Sequence, residues 1–217
     1  MARELNRRAA SAVTSLLALA SLVTTTPAHA LPAAEELVRE ARVHESAHED
    51  DLALRRYAEA LTLDPTLADA YLGLGALRLR LGDARESERV FQTALSHLPG
   101  LSVARLGRGR ARRALGATSD AEADLETYTT ETEDEQALRE LGRWYAEEGR
   151  PLAQLAVWRR LLRLAERGAN AAFRKEARLT VHALEFIVAT ADPVREPAGG
   201  AQASSVRRGM ARMEKRR

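Results

Sequence analysis

The sequence of 217 residues contains no cysteine and few aromatic residues, which make up 4% of the chain. Without cysteine the chain has no thiol nucleophile. Runs of strand-favouring residues are also missing, whereas helix-forming and charged residues are plentiful. No G-x-S-x-G elbow and no phosphate-binding loop occurs. These absences favour an all-α protein and give little support to catalysis.

Positive charge is concentrated at the two ends of the chain. The sequence has 33 basic and 31 acidic residues. Residues 1–30 carry a net charge of +2 and residues 192–217 one of +4, which leaves residues 31–191 at −4. Because the central region is acidic overall, the alkaline isoelectric point does not indicate nucleic-acid binding.

The chain is organised around residues 68–99, which predict two amphipathic helices joined at Gly82. Tyr71, Leu74 and Gly75 share one stripe of the first helix, at the spacing that an apolar helical face requires. A small residue, an aromatic residue and an alanine share one stripe of the second helix, which proline then ends. These residues are Ser87, Phe91, Ala94 and Pro99.

The same unit recurs at steps of 34 and 33 residues. Three columns keep one register: a turn glycine, a glycine inside the first helix and a bulky residue in the second helix. Glycine inside a helix costs about 1 kcal/mol relative to alanine, so its recurrence indicates a steric need for close helix approach. The columns are Gly82, Gly116 and Gly149; Gly75, Gly109 and Gly142; and Phe91, Leu125 and Trp158.

This order of residue types resembles the tetratricopeptide repeat, a helix–turn–helix unit of 34 residues. The resemblance implies an all-α fold, a right-handed α-solenoid of about four repeats followed by a C-terminal capping helix. The third repeat is degenerate, since Arg105 and Arg108 replace Tyr71 and Leu74. The predicted domain covers residues 31–191, with repeats at about 32–65, 66–99, 100–133 and 134–167, the capping helix at 169–191, and a disordered basic tail at 192–217.

Residues 1–30 predict a secretory signal peptide of bacterial type. A start with three arginines precedes an uncharged, largely apolar run at residues 12–23, and the segment ends in a small-x-small pattern at Ala30. The run is shorter than the roughly 20 residues that a membrane span needs. An uncleaved anchor or an ordinary helix are the alternatives. We expect a mature chain that begins at Leu31 and is periplasmic or secreted.

Residues 44–48, His-Glu-Ser-Ala-His, match the H-E-x-x-H signature of zinc proteases. In the repeat register, however, His48 aligns with Gly82 at the turn that closes the first helix. The additional Gly and His of the longer metzincin signature are replaced by Asp51 and Leu54. We therefore expect no enzyme activity, no metal and no cofactor. A metal contact on the surface through His44, His48 and Asp51 is an alternative, and so is a solvated cluster.

In the tetratricopeptide family the first helix of each pair lines a concave groove, which the resemblance places on this chain. Its floor is predicted to be apolar in the middle and rich in arginine toward the third and fourth repeats. Because arginine pairs with carboxylates in a bidentate manner, we expect an acidic peptide partner. The predicted groove residues are Arg42, Leu72, Ala76, Leu79, Leu106, Arg110, Arg113, Arg139 and Arg143. Alternatively, these arginines pair locally with Asp120, Glu122, Asp124, Glu126 and Glu140.

The sequence thus predicts a non-catalytic scaffold that binds a protein or peptide partner, in assembly of the cell envelope. The Lys/Asn clamp with which some family members hold a C-terminal carboxylate is not matched, since Arg42 and Gly73 stand where asparagine is needed. The basic tail predicts a weak contact with an anionic envelope surface. The alternatives are a small metal-dependent hydrolase and a self-associating structural protein.

Overall fold

The computed structural model describes residues 30–191, which form nine α-helices and no β-strand. The all-α prediction is confirmed. The predicted signal peptide, up to residue 29, and the predicted tail at 192–217 lie outside the described residues. The helices are α1 (Ala30–Ser46), α2 (Asp50–Leu63), α3 (Ala68–Arg80), α4 (Ala84–His97), α5 (Ser102–Ala114), α6 (Thr118–Thr132), α7 (Glu135–Glu147), α8 (Pro151–Arg167) and α9 (Ala171–Ala191).

The helices form two compact units, the first ending at Asp124 and the second beginning at Leu125, inside α6. In the first unit α1 packs against α2, α3 against α2 and α4, and α5 against α4 and α3. In the second unit α8 packs against both α7 and α9. Each unit is therefore built from consecutive helices that cover one another in chain order. Within residues 30–191, no helix combines the length and the apolar character needed to cross a membrane.

Local sequence signals explain several helix ends. The Asp134 side chain accepts a hydrogen bond of 3.0 Å from the Ala137 backbone N–H and so caps the start of α7. Asn170 caps α9 in the same way by accepting from the Phe173 N–H at 3.1 Å. Pro151 occupies the first turn of α8. A backbone N–H in this turn has no acceptor within the helix, so proline loses no hydrogen bond there.

One left-handed residue closes the first helix of each hairpin. The residue is glycine in three hairpins and His48, with φ of 59°, in the one formed by α1 and α2. The next backbone N–H bonds back to the fifth residue before it, as from Asp83 to Arg78 and from Glu49 to His44, both at 2.9 Å. The predicted alignment of His48 with Gly82 is thereby confirmed. The glycines, with φ of 84°, 78° and 64°, are Gly82, Gly116 and Gly149.

The tip of the Phe91 ring lies against glycines of two first helices. A Cβ atom placed on Gly75 would lie 2.6 Å from the ring, and one placed on Gly107 would lie 2.3 Å from it. Real Cβ atoms do not approach a ring so closely, so both positions require glycine. The steric need predicted for Gly75 is confirmed. Gly142 is less crowded, since its Cβ would lie 3.3 Å from the Trp158 ring nitrogen.

Sequence reasoning missed the column to which Gly107 belongs. Gly73 precedes it by one repeat, and a Cβ on Gly73 would lie 2.3 Å from the ring of Tyr57, which itself precedes Phe91 by one repeat. One repeat further, the same two columns contain Leu125, which is fully buried, and Glu140, so the pairing of an aromatic residue with glycine does not continue into the second unit.

We expect Gly107→Ala to lower the free energy of unfolding by about 1–2 kcal/mol. Overpacking of a core costs about 1–3 kcal/mol, and this outweighs the gain of about 1 kcal/mol in helix propensity. The ring cannot yield easily, because Phe91 is only 3% exposed and also contacts Gly75. Urea denaturation followed by circular dichroism measures the change.

Gly100→Ala is the control for that substitution, since no atom lies within 4 Å of the added Cβ and its φ is not positive. It should leave stability within about 0.5 kcal/mol of the wild type. Equal effects of the two substitutions would contradict the steric explanation.

Candidate functional site

The groove residues predicted for the first unit lie on α1, α3 and α5, three helices that contact one another through α3. We call this set the first-helix face. Leu72 and Leu79 are half-buried on α3, and Ala76 is exposed between them. Leu106 is only 8% exposed, so its side chain serves packing more than contact with a partner. The first-helix face comprises Arg42, Leu72, Ala76, Leu79, Leu106, Arg110 and Arg113.

Two further residues adjoin this face and were missed from the sequence. Val103 is 45% exposed at the start of α5, and Asp69, one repeat earlier, is exposed at the start of α3. They are 34 residues apart, which is one repeat, and this spacing would have indicated that they occupy equivalent positions. Val103 extends the apolar middle of the first-helix face onto α5.

The end of the first-helix face at α1 carries charge of both signs. Arg42 donates a hydrogen bond of 2.8 Å to Asp69, which joins α1 to α3. A pocket of about 200 Å³ opens beside this pair, with the buried Val38 among its walls. The pocket can take one short side chain of a partner and offers it both donors and acceptors. Its lining residues are Glu35, Val38, Arg39, Arg42, Leu67 and Asp69.

The opposite end of the first-helix face carries two arginines on α5. Arg110 is exposed and Arg113 is half-buried on α5, whereas Leu72, Ala76 and Leu79 form the apolar middle on α3. The first-helix face therefore has charged side chains at both ends and an apolar strip between them.

In the second unit the predicted residues Arg139 and Arg143 lie on α7 and have different surroundings. Arg139 donates to both carboxylate oxygens of Glu176 at 2.7 and 2.9 Å and to Glu135 at 2.9 Å. These bonds raise its pKa above the ordinary value. Its guanidinium also lies 4.7 Å from the centre of the Phe173 ring. Arg139 is thus held locally, whereas Arg143 is exposed.

The degenerate third repeat contains a buried ion cluster in the first unit. Arg108 donates from Nε to Asp124 at 2.8 Å, and Arg112 donates from Nη1 to the same carboxylate at 2.9 Å. Asp124 is only 5% exposed. One repeat earlier the corresponding residues are Leu74 and Val90, which belong to one apolar cluster. Asp124 was among the predicted local acids, and an ion pair here takes the place of an apolar contact.

The residues of the His-Glu-Ser-Ala-His stretch contact different parts of the structure and do not converge on one site. His44 lies with Nδ1 at 2.6 Å from Glu49, and Glu45 accepts a hydrogen bond of 3.1 Å from the Tyr57 hydroxyl. Burial and the Glu45 carboxylate raise the pKa of Tyr57 to about 12. His48 lies in the turn beyond the end of α1. Within residues 30–191 no three His, Asp or Glu side chains form a group that could hold a metal ion.

Solved structures with this fold were found, although no family model and no curated protein sequence matches the chain. A tetratricopeptide repeat protein from Parabacteroides merdae has a TM-score of 0.55 at 19% identity, over 75% of this chain and 68% of that one. A thermophilic tetratricopeptide protein from Thermus thermophilus has a TM-score of 0.56 at 19% identity, over 68% and 81%.

A third similar structure contains a bound peptide. The first tetratricopeptide domain of Spaghetti (RPAP3), bound to an HSP90 peptide, has a TM-score of 0.52 at 20% identity, over 55% of this chain and 95% of that one. With the repeated turns and helix contacts, these similarities show that the chain has the tetratricopeptide-repeat solenoid fold.

We expect Asp124→Ala to lower the free energy of unfolding by about 2–3 kcal/mol. Removing one partner of a buried ion pair costs about 3–5 kcal/mol, and the partial exposure of Arg108 and Arg112, at 16% and 20%, reduces this cost. The double substitution Arg108→Leu with Asp124→Val recreates the apolar pair of the preceding repeat and should restore most of the loss.

Chemical denaturation of the three proteins tests this explanation of the degenerate repeat. A double variant no more stable than Asp124→Ala would show that an apolar pair cannot replace the ion cluster.

Proposed function

We propose that the protein is a non-catalytic scaffold that binds a protein or peptide partner on the first-helix face. The observation that carries the proposal is the strip formed by Leu72, Ala76 and Leu79, which is only partly covered although it lies between charged ends. Partly exposed apolar side chains framed by polar groups are typical of peptide-binding surfaces. The Spaghetti domain, bound to an HSP90 peptide, shows that this fold can hold a peptide.

The partner we propose is an acidic peptide with at least one large apolar residue. Arg110 is exposed on α5 beyond the apolar strip, and arginine favours planar, bidentate contact with carboxylates. The apolar residue of the peptide would lie on Leu72 and Leu79, and its carboxylate would lie near α5.

Capture of a C-terminal carboxylate by a Lys/Asn clamp is not part of this proposal. Gly73 occupies one position where the clamp needs asparagine, and the Tyr57 ring leaves no room there for a side chain. Recognition on this chain would depend on apolar contacts and on arginine. Neither requires a terminal carboxylate, so an internal segment of a partner could bind as well as its C-terminus.

We also propose that the protein is exported and acts in assembly of the cell envelope. The basis is the predicted signal peptide in residues 1–30. We expect a bacterial host to deliver the chain to the periplasm with Leu31 as its first residue. Intact-mass measurement of the periplasmic protein tests this, and a cytoplasmic protein that retains Met1 would contradict it.

Site-specific cross-linking on the first-helix face can identify the partner. The absence of cysteine allows a single photoreactive label at Ala76→Cys, on the exposed middle of the first-helix face. The control label at Ala58→Cys lies on an exposed position of α2. We expect one envelope protein to be cross-linked from position 76 and not from position 58.

Calorimetry with the purified partner then tests the anchors. Leu79→Ser and Arg110→Gln should each weaken binding about tenfold, corresponding to about 1.4 kcal/mol. Leu52→Ser and Arg85→Gln, which alter exposed residues of α2 and α4, should leave affinity unchanged. If all four variants bind equally well, the proposed surface is wrong.

A further inference from the structure

The last helix, α9, has apolar residues on two opposite sides. On one side Phe173, Ala177, Val181 and Leu184 are buried, and α9 packs there against α8, with Leu155 in the shared core. The opposite side, which we call the outer side of α9, faces solvent. It carries two large apolar residues separated by about two helical turns, Leu179 (61% exposed) and Phe186 (68% exposed).

A capping helix of a repeat protein normally presents a polar outer surface, because nothing further covers it. The outer side of α9 departs from this rule. Ala172 and Ala183, both exposed, lie on the same side as Leu179 and Phe186 at helical spacing. A contiguous exposed surface of this kind indicates a docking surface.

The charge of α9 favours a negatively charged surface as the partner. Its two acidic residues are neutralised from within the second unit, Glu176 by Arg139 at 2.7 Å and Glu185 by Arg159 at 2.8 Å. Arg139 also lowers the pKa of Glu176 below its ordinary value. Arg174 and Lys175 form no ion pair with residues 30–191. The outer side of α9 therefore combines apolar side chains with uncompensated positive charge.

We propose that the outer side of α9 docks on an anionic lipid bilayer, with Leu179 and Phe186 entering the interfacial region and Lys175 beside the lipid phosphates. Leucine and phenylalanine enter the boundary between headgroups and acyl chains, and lysine extends its amine back to the phosphates. The sequence that follows α9 carries seven basic and three acidic residues, which adds electrostatic attraction to the same surface.

A second copy of the chain fits the outer side of α9 less well. Two copies of α9 packed in parallel would place Arg174 and Lys175 beside their own counterparts. Like charges therefore meet in the parallel pair, which disfavours that arrangement.

A fluorescent label on α9 tests the proposal in the full-length chain, which has no other cysteine to label. An environment-sensitive dye is attached to Phe186→Cys, and in a second protein to Val43→Cys, a residue of α1 with a similar exposure of 65%. Vesicles of phosphatidylglycerol and phosphatidylcholine supply the anionic surface, and vesicles of phosphatidylcholine alone are the neutral control.

We expect the dye at position 186 to shift to the blue and brighten on anionic vesicles only, while the dye at position 43 does not respond. Arg174→Gln with Lys175→Gln should weaken this response about 25-fold in apparent affinity, because each cation near the membrane contributes about 1 kcal/mol.

Two results would overturn the proposal. In the first, the protein sediments with anionic vesicles but the emission of the dye at position 186 is unchanged, which would mean that the terminal segments alone bind. In the second, the emission of this dye shifts with rising protein concentration in the absence of vesicles, and light scattering shows a dimer. That result would mean that the outer side of α9 joins two copies. Unchanged circular dichroism of the labelled variants establishes that they are folded.

Discussion

The insertion of Phe91 between Gly75 and Gly107 is the contact on which the first unit depends. One aromatic ring on a second helix contacts its own hairpin and the following one, at positions where no side chain would fit. A hairpin of two helices cannot bury its apolar face alone, so it requires the next hairpin. The glycines lower helix propensity, yet they allow close approach of the helices, and the buried ring repays this cost with a large apolar area.

Another solution to the packing of successive hairpins occurs in the degenerate third repeat. Arg108 and Asp124 replace an apolar pair by a hydrogen-bonded ion pair. Substitution in one position is accompanied by a matching substitution in the position it contacts. This explains why a repeat with arginines in its apolar register still folds.

The surfaces that the packing leaves uncovered carry the functional proposals. On the first-helix face the apolar strip of α3 lies between the charged residues of α1 and α5, which suits a short segment of a protein partner. The outer side of α9 is apolar and positively charged, because the acidic residues of this helix are already paired with Arg139 and Arg159. The two surfaces differ in chemistry, so one protein could attach to a bilayer while binding a partner.

The sequence alone determined the helices, the repeat columns and the turns, including the alignment of His48 with Gly82, because these follow from residue types at short, regular spacing. Tertiary structure decided how the long side chains are used. In the tertiary structure Arg139 forms an ion pair with Glu176, and Glu45 accepts a hydrogen bond from the Tyr57 hydroxyl. The Leu106 side chain is buried. The tertiary structure also showed that Gly73 and Gly107 face aromatic rings. Periodicity within a helix fixes which side is apolar, whereas the partner of a charged side chain depends on which helix lies opposite it.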